Sequence, residues 1–235
     1  MSRTVQLNNV DHKDLRVDTG HGAALGDAVM WAITFPAEFR NVQANYPIVF
    51  GKSADGEFQP LALFGFTDGQ NLFLEGERWD ATYIPLTIER QPFLIGRSAD
   101  EMLVHIDLDH PRVGSARGEA LFLPHGGTSD YLERASSMLN TIHQGLQTNA
   151  PFVAALLQHQ LLEPFVLDIR LDDGSDNRLS GYYAIDEDRL RQLDGDAFAS
   201  LGRAGHLEPI YMMLASVARF RDLIDRVNRA GAAGR

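Results

Sequence analysis

The sequence predicts an α+β fold, with an antiparallel, sheet-rich N-terminal half and a mainly helical C-terminal half packed as one domain. Three observations carry that expectation. Short runs of β-branched and aromatic residues crowd the first half, and the connections between them are too short for helical crossovers. Long stretches with apolar residues at helical spacing begin only near Thr128. With 235 residues, 44% of them hydrophobic, the chain can bury a substantial core. It divides into an N-terminal extension (1–27), a single domain (28–229) and a frayed tail (230–235).

The strands come first. Trp31–Phe35, Pro47–Gly51 and Leu61–Phe66 are β-rich runs, with Ala54-Asp55-Gly56 and Asp68-Gly69 as hairpin tips. Asn71–Leu74 is expected to complete a meander with Leu61–Phe66. Glu77–Ile88 reads as a short helix broken before Pro85. Pro92–Gly96 and Met102–Leu108 follow as strands, and Gly118–Leu123 adds another.

Helices dominate after that. Thr128 or Ser129 caps a helix to about Gln147, with Leu132, Ala135, Leu139, Ile142 and Leu146 on its buried face. A second helix runs from Thr148 or Asn149 to about Leu162, with Pro151 in its first turn. Pro164–Leu171 and Asn177–Ile185 form two strands around the turn Asp172-Asp173-Gly174. Asp186 caps the helix Glu187–Leu193. A last helix spans Glu208–Arg229 with a nearly continuous apolar stripe.

Composition removes whole classes of chemistry. The chain has no cysteine, which excludes disulfides, thiolate metal sites and cysteine nucleophiles. Lys+Arg 21 against Asp+Glu 32 leaves a net charge of −11, which argues against nucleic acid as a partner. No apolar run reaches the roughly 18 residues of a membrane span, so no membrane insertion is expected. Met1–Val17 has no apolar signal-like core, and the expected location is the cytoplasm. No Gly-x-Ser-x-Gly elbow, Walker motif or dinucleotide fingerprint occurs; the glycines of Gly20–Gly26 and Gly114–Gly118 read as turn formers.

Two constellations remain. In His105–His110 (HIDLDH), a strand would place His105, Asp107 and Asp109 on one face. His105 and Asp107 are the start of a facial triad for non-heme iron, with His125, His143, His159 and His206 as candidates for an unassigned third ligand. The alternative is a solvated strand end. In Glu75–Asp80 (EGERWD), with Tyr83, Arg90 and Arg97, acids, arginines and aromatics gather near a strand–helix junction. Arg78, Trp79, Tyr83 and Arg90 would form a platform for a peptide, sugar or acidic small molecule. The alternative is an ion-pair cluster with Trp79 as a hydrophobic plug.

The segments Glu38-Phe39, Tyr46–Phe50, Glu77–Pro85 (ERWDATYIP) and Gln91-Pro92-Phe93 occur in this order, followed by Gly118–Phe122. Leu179–Ile185 and Gly205–Ser216 complete the set, and together they resemble the SapC family of bacterial proteins over roughly residues 28–228. The family name implies an association with surface-layer proteins. The resemblance also implies a gene-cluster setting beside halogenase-like and oxygenase-like enzymes, and it carries no catalytic residue to this chain.

The leading expectation is a soluble accessory or binding protein that needs no cofactor and recognises a peptide, small molecule or partner enzyme. An iron-dependent oxygenase using His105 and Asp107 is the alternative. A surface-layer or scaffold component, homo-oligomeric through Leu207–Val227, is the third.

Overall fold

Residues 3–98, 101–114 and 117–233 are described by the computed structural model of the protein. In chain order the first strands are β1 (Thr4–Gln6), β2 (Arg16–Val17), β3 (Trp31–Ile33), β4 (Ile48–Lys52), β5 (Phe58–Leu63) and β6 (Leu74–Glu75). They are followed by β7 (Arg78–Trp79), β8 (Phe93–Ser98), β9 (Glu101–Asp107), β10 (Glu119–Ala120), β11 (Leu162–Arg170) and β12 (Asp176–Ile185). The helices are α1 (Phe39–Val42), α2 (Leu86–Glu89), α3 (Asp130–Gln147) and α4 (Asn149–Gln158). Four more are α5 (Glu187–Arg191), α6 (Gly195–Arg203), α7 (Leu207–Ser216) and α8 (Arg219–Ala233). Among the described residues every strand pairing is antiparallel, and the longer helices come late, so the class is α+β.

Two compact units interleave along the chain. The first comprises Met1–Ala28, Leu74–Asp80 and Leu86–Gln144; the second comprises Val29–Phe73, Ala81–Pro85 and Gly145–Arg235.

In the first unit β9 is the centre of the sheet β1-β9-β8. Strand alternation turns Val104, Ile106 and Leu108 to one face, where they join Phe93, Val17 and Leu121. Leu132, Ala135 and Leu139 of α3 close that core with one helical stripe. Ser129 caps α3 as expected, its Oγ accepting from Leu132 N at 3.2 Å. Residues expected as an N-terminal extension belong to this unit: β1 pairs with β9 and β2 with β10.

The second unit is built on the sheet β11-β12-β4-β5-β3. β4 and β5 form the expected hairpin, with Gly56 at φ 80 in its turn. β11 and β12 form the long second hairpin, and Tyr183 of β12 pairs with Phe50 of β4. Aromatic rings fill the core: Tyr46 meets Phe64 and Phe73 edge-on at 5.1 and 4.6 Å, and Phe152 of α4 meets Phe39 at 6.0 Å.

Several local expectations are corrected. Asn71–Leu74 does not complete a meander; Leu74–Glu75 pairs instead with Arg78–Trp79 around the two-residue turn Gly76-Glu77, where Gly76 takes φ 65. No helix occupies 77–84; α2 begins after Pro85, because proline fits ahead of a helix better than inside one. The helix expected over 208–229 is two helices. Ser216 Oγ donates to the Met213 carbonyl and accepts from Ile48 N, and the chain turns at Val217-Ala218 before α8. α6, capped by Asp194 through Ala197 N, escaped the sequence reading. Ile210 and Leu223 of the apolar stripe are core, joined by Met212, Met213 and Phe220 from outside it, whereas Tyr211 and Val217 of the stripe are exposed. Residues 230–233 continue α8. Among the described residues no helix is long and apolar enough to cross a membrane.

Candidate functional site: a groove organised by a buried arginine

The turn that follows β9 places Arg112. Its backbone N–H donates to His110 Nδ1 at 3.2 Å, and its carbonyl accepts from Asp18 N at 2.8 Å. The guanidinium points inward and is almost fully buried. Nη2 donates to both carboxylate oxygens of Asp27, at 2.7 and 2.8 Å, and Nη1 donates to the carbonyls of Asp18 and Gly20. The segment from Asp18 to Asp27 is therefore wrapped around one cation. Taking two charges out of water costs several kcal/mol per ion in rough terms. These charge-assisted hydrogen bonds offset that cost, together with the Gly22 N–H that donates to Asp27 Oδ2 at 2.9 Å.

Burial pushes the Asp27 carboxyl up. His21, the Gly22 N–H and Arg112 outweigh burial and hold it below the ordinary carboxylate value. His110 moves down, chiefly through burial and then through the nearby Arg112 charge. Gly26 ends the wrapped segment at φ 90, a conformation that favours glycine, and a Cβ there would meet His110 Nε2 at 3.5 Å.

Several residues of the segment line a cavity, His21 among them. His21 has its Nδ1 3.4 Å from Asp27 Oδ2 and its Nε2 4.0 Å from Glu89 Oε2, and its ring meets Trp79 edge-on at 5.9 Å. The carboxylates of Asp27 and Glu89 thus bracket the ring, one near each nitrogen. The groove it lines measures about 660 Å³, with Ala23, Ala24 and Leu25 as its apolar floor. Asp18, Arg117 and the turn residues Gly76 and Glu77 add its other walls. An apolar floor with a few convergent polar groups is the usual composition of a small-ligand site.

The residues singled out from sequence are divided between the units. Trp79 is buried beneath His21, 5% exposed. Arg78, on the hairpin whose turn lines the groove, is exposed and pairs with Glu75 and, at 3.3 Å, with Asp80; these acids raise its already high pKa. Arg90 is partly buried, donates to the Phe93 carbonyl at 2.5 Å, and is pushed down by that burial. The Arg97 side chain lies outside the described residues.

Tyr83 belongs to the second unit. Its hydroxyl donates to Glu38 Oε1 at 2.9 Å, and Thr34 Oγ1 donates to Glu38 Oε2 at 2.6 Å. Tyr46 OH in turn donates to the Tyr83 carbonyl at 2.5 Å. Burial, then the Glu38 carboxylate, pushes the Tyr83 phenol far up. Three of the segments quoted for the family resemblance are thus linked through Tyr83, which bonds the buried Glu38 carboxylate and accepts from Tyr46.

His105 and Asp107 do share one strand face. The His105 ring lies over Gly96 of β8, where a Cβ would come within 1.9 Å of its Cε1, and its Nδ1 is 3.3 Å from the Leu103 carbonyl. Asp107 Oδ1 accepts from Asp109 N at 3.1 Å, a turn-closing bond. Among the described residues, no group of three or more His, Asp or Glu side chains is placed to hold a metal ion. His125 and His143 belong to the first unit, His159 and His206 to the second.

The His21–Asp27–Arg112 arrangement was missed in the sequence. Arg112 lies 85 residues from Asp27, and no motif links them. The only signal was the glycine-rich segment Gly20–Gly26.

The model of the SapC family matches residues 7–223. No curated protein and no solved structure matches the chain.

Proposed function

The chain belongs to the SapC family, and from that premise we propose that it is a binding or accessory protein whose ligand site is the groove of the first unit. The observation that supports this reading most is His21, presented to a cavity of about 660 Å³ by a segment that a buried arginine holds in shape. Such a segment gives up little conformational freedom when a ligand arrives, which favours binding.

The occupant is a small molecule or peptide side chain with an aliphatic or aromatic body and a polar end. Its body rests on Ala23, Ala24 and Leu25, and its polar end faces His21, Glu77 and Arg117. Trp79 supports His21 from beneath, Arg78 extends the exposed rim, and Arg90 fixes the turn into Phe93. Tyr83 serves the fold of the second unit through Glu38.

The test is a ligand-observed NMR screen with a broad fragment set that includes N-acetylated amino-acid amides. Fragments that bind wild-type protein should weaken about tenfold or more against His21→Ala, the loss of one charge-assisted hydrogen bond. Fragments that bind both proteins equally would place the ligand site elsewhere.

A further inference from the structure

Helix α8 of the second unit carries four arginines, Arg219, Arg221, Arg226 and Arg229. Arg219, Arg226 and Arg229 of α8 lie at spacings of seven and three residues, which puts them on one helical face. They line a recess of about 280 Å³ together with Phe73 and the acids Asp222 and Asp225.

Two of the three are held in place before any ligand arrives. The Arg226 guanidinium lies 4.2 Å from the Phe73 ring centroid and donates to the Leu72 carbonyl at 3.3 Å. Arg219 donates to the Gln43 carbonyl at 3.3 Å and to Asp222 Oδ2 at 2.9 Å. Arg229 is exposed at the end of the row. Asp222 offsets Arg219, and Asp225 reduces the remainder, so the recess has a net charge of +1 on a chain whose total is −11. Packing a guanidinium on a buried ring keeps its planar donor edge aimed, and that geometry matches phosphate oxygens.

We propose that this recess is an oxyanion site for a phosphate group, borne by a phosphomonoester or present as free phosphate or pyrophosphate. A single carboxylate is a poorer match, because it brings one charge and two oxygens where phosphate brings nearly two charges and three oxygens. The site is independent of the groove in the first unit.

Isothermal titration of the full chain with pyrophosphate, inorganic phosphate, glycerol phosphate and acetate, all at one ionic strength, tests it. Saturable binding is expected for the phosphate compounds, at least tenfold tighter than for acetate. Glycerol phosphate tighter than inorganic phosphate identifies an ester as the source; the reverse order identifies the free anion. Arg229→Gln should weaken pyrophosphate about tenfold with an unchanged urea midpoint, and Asp225→Asn should tighten it severalfold. The proposal is overturned if no phosphate compound saturates, if acetate binds as well, or if affinity survives intact in both Arg219→Gln and Arg229→Gln.

Discussion

Arg112 Nη2 lies 2.7 Å from Asp27 Oδ1 and 2.8 Å from Oδ2, and neither side chain retains appreciable contact with solvent. This pair is the structural origin of the groove. It converts a glycine-rich segment into a shaped wall by drawing the carbonyls of Asp18 and Gly20 onto the same guanidinium.

Breaking the pair on one side should be costly. Asp27→Ala leaves the Arg112 charge buried without its carboxylate, at a cost of about 3–5 kcal/mol. Asp27→Leu combined with Arg112→Met removes both charges and should recover much of that loss, while the Asp18–Asp27 segment loosens. Urea denaturation measures the first effect and amide hydrogen exchange the second. A single-variant cost under about 1 kcal/mol would show that the pair does not hold the loop.

Acid should attack the same pair. The Asp27 carboxyl titrates lower in the folded protein than in the unfolded chain, so the folded state binds its proton less tightly. Its contribution is therefore present above the unfolded pKa of about 3.9 and is lost as pH falls through the folded value. Urea midpoints measured from pH 5 downward should fall, with a smaller slope in Asp27→Asn. Identical slopes would remove Asp27 as the cause.

At the alkaline end, burial above all pushes the Tyr131 phenol up to about 12. Its contribution is present below the unfolded value of about 10 and is lost as pH rises toward the folded value. Tyr131→Phe should flatten the alkaline decline of stability, and ultraviolet titration should show one phenol fewer ionising late.

Close packing in the second unit allows a sharper substitution. A Cβ on Gly145 would lie 2.3 Å from Cδ2 of the buried Phe35 ring. Gly145→Ala gains about 1 kcal/mol of helix propensity, yet overpacking of this kind costs about 1–3 kcal/mol. Because this contact is far inside van der Waals range and falls on a buried ring, net destabilisation is expected in urea. A stabilised variant would contradict the packing described.

How much of this was legible follows from the range of the forces involved. The β4–β5 hairpin, β8, β9, β11, β12 and the Asp186 cap were readable because period-two alternation, turn residues and capping act within a few positions. The break between α7 and α8 was not. Apolar residues continue through Val217, and the chain turns where Ser216 engages both Met213 and Ile48, a partner 168 residues away. The β6–β7 hairpin was missed because two-residue strands carry no periodic signal.

At the site, Trp79 stood out as an aromatic among arginines, and the plug role weighed for it matches its burial beneath His21. His21 and Arg112 were invisible for a different reason. A histidine between glycines and an arginine after His-Pro have no pattern in common, and only folding makes them neighbours of Asp27.

The measurement that tests the central claim most directly is amide-resolved NMR of the full chain, titrated with the tightest hit from the fragment screen. The account predicts saturable shifts concentrated at Gly20–Leu25 and Gly76-Glu77, abolished in His21→Ala while the rest of the spectrum stays native. Shifts that cluster away from these residues, or that persist unchanged in His21→Ala, would contradict it.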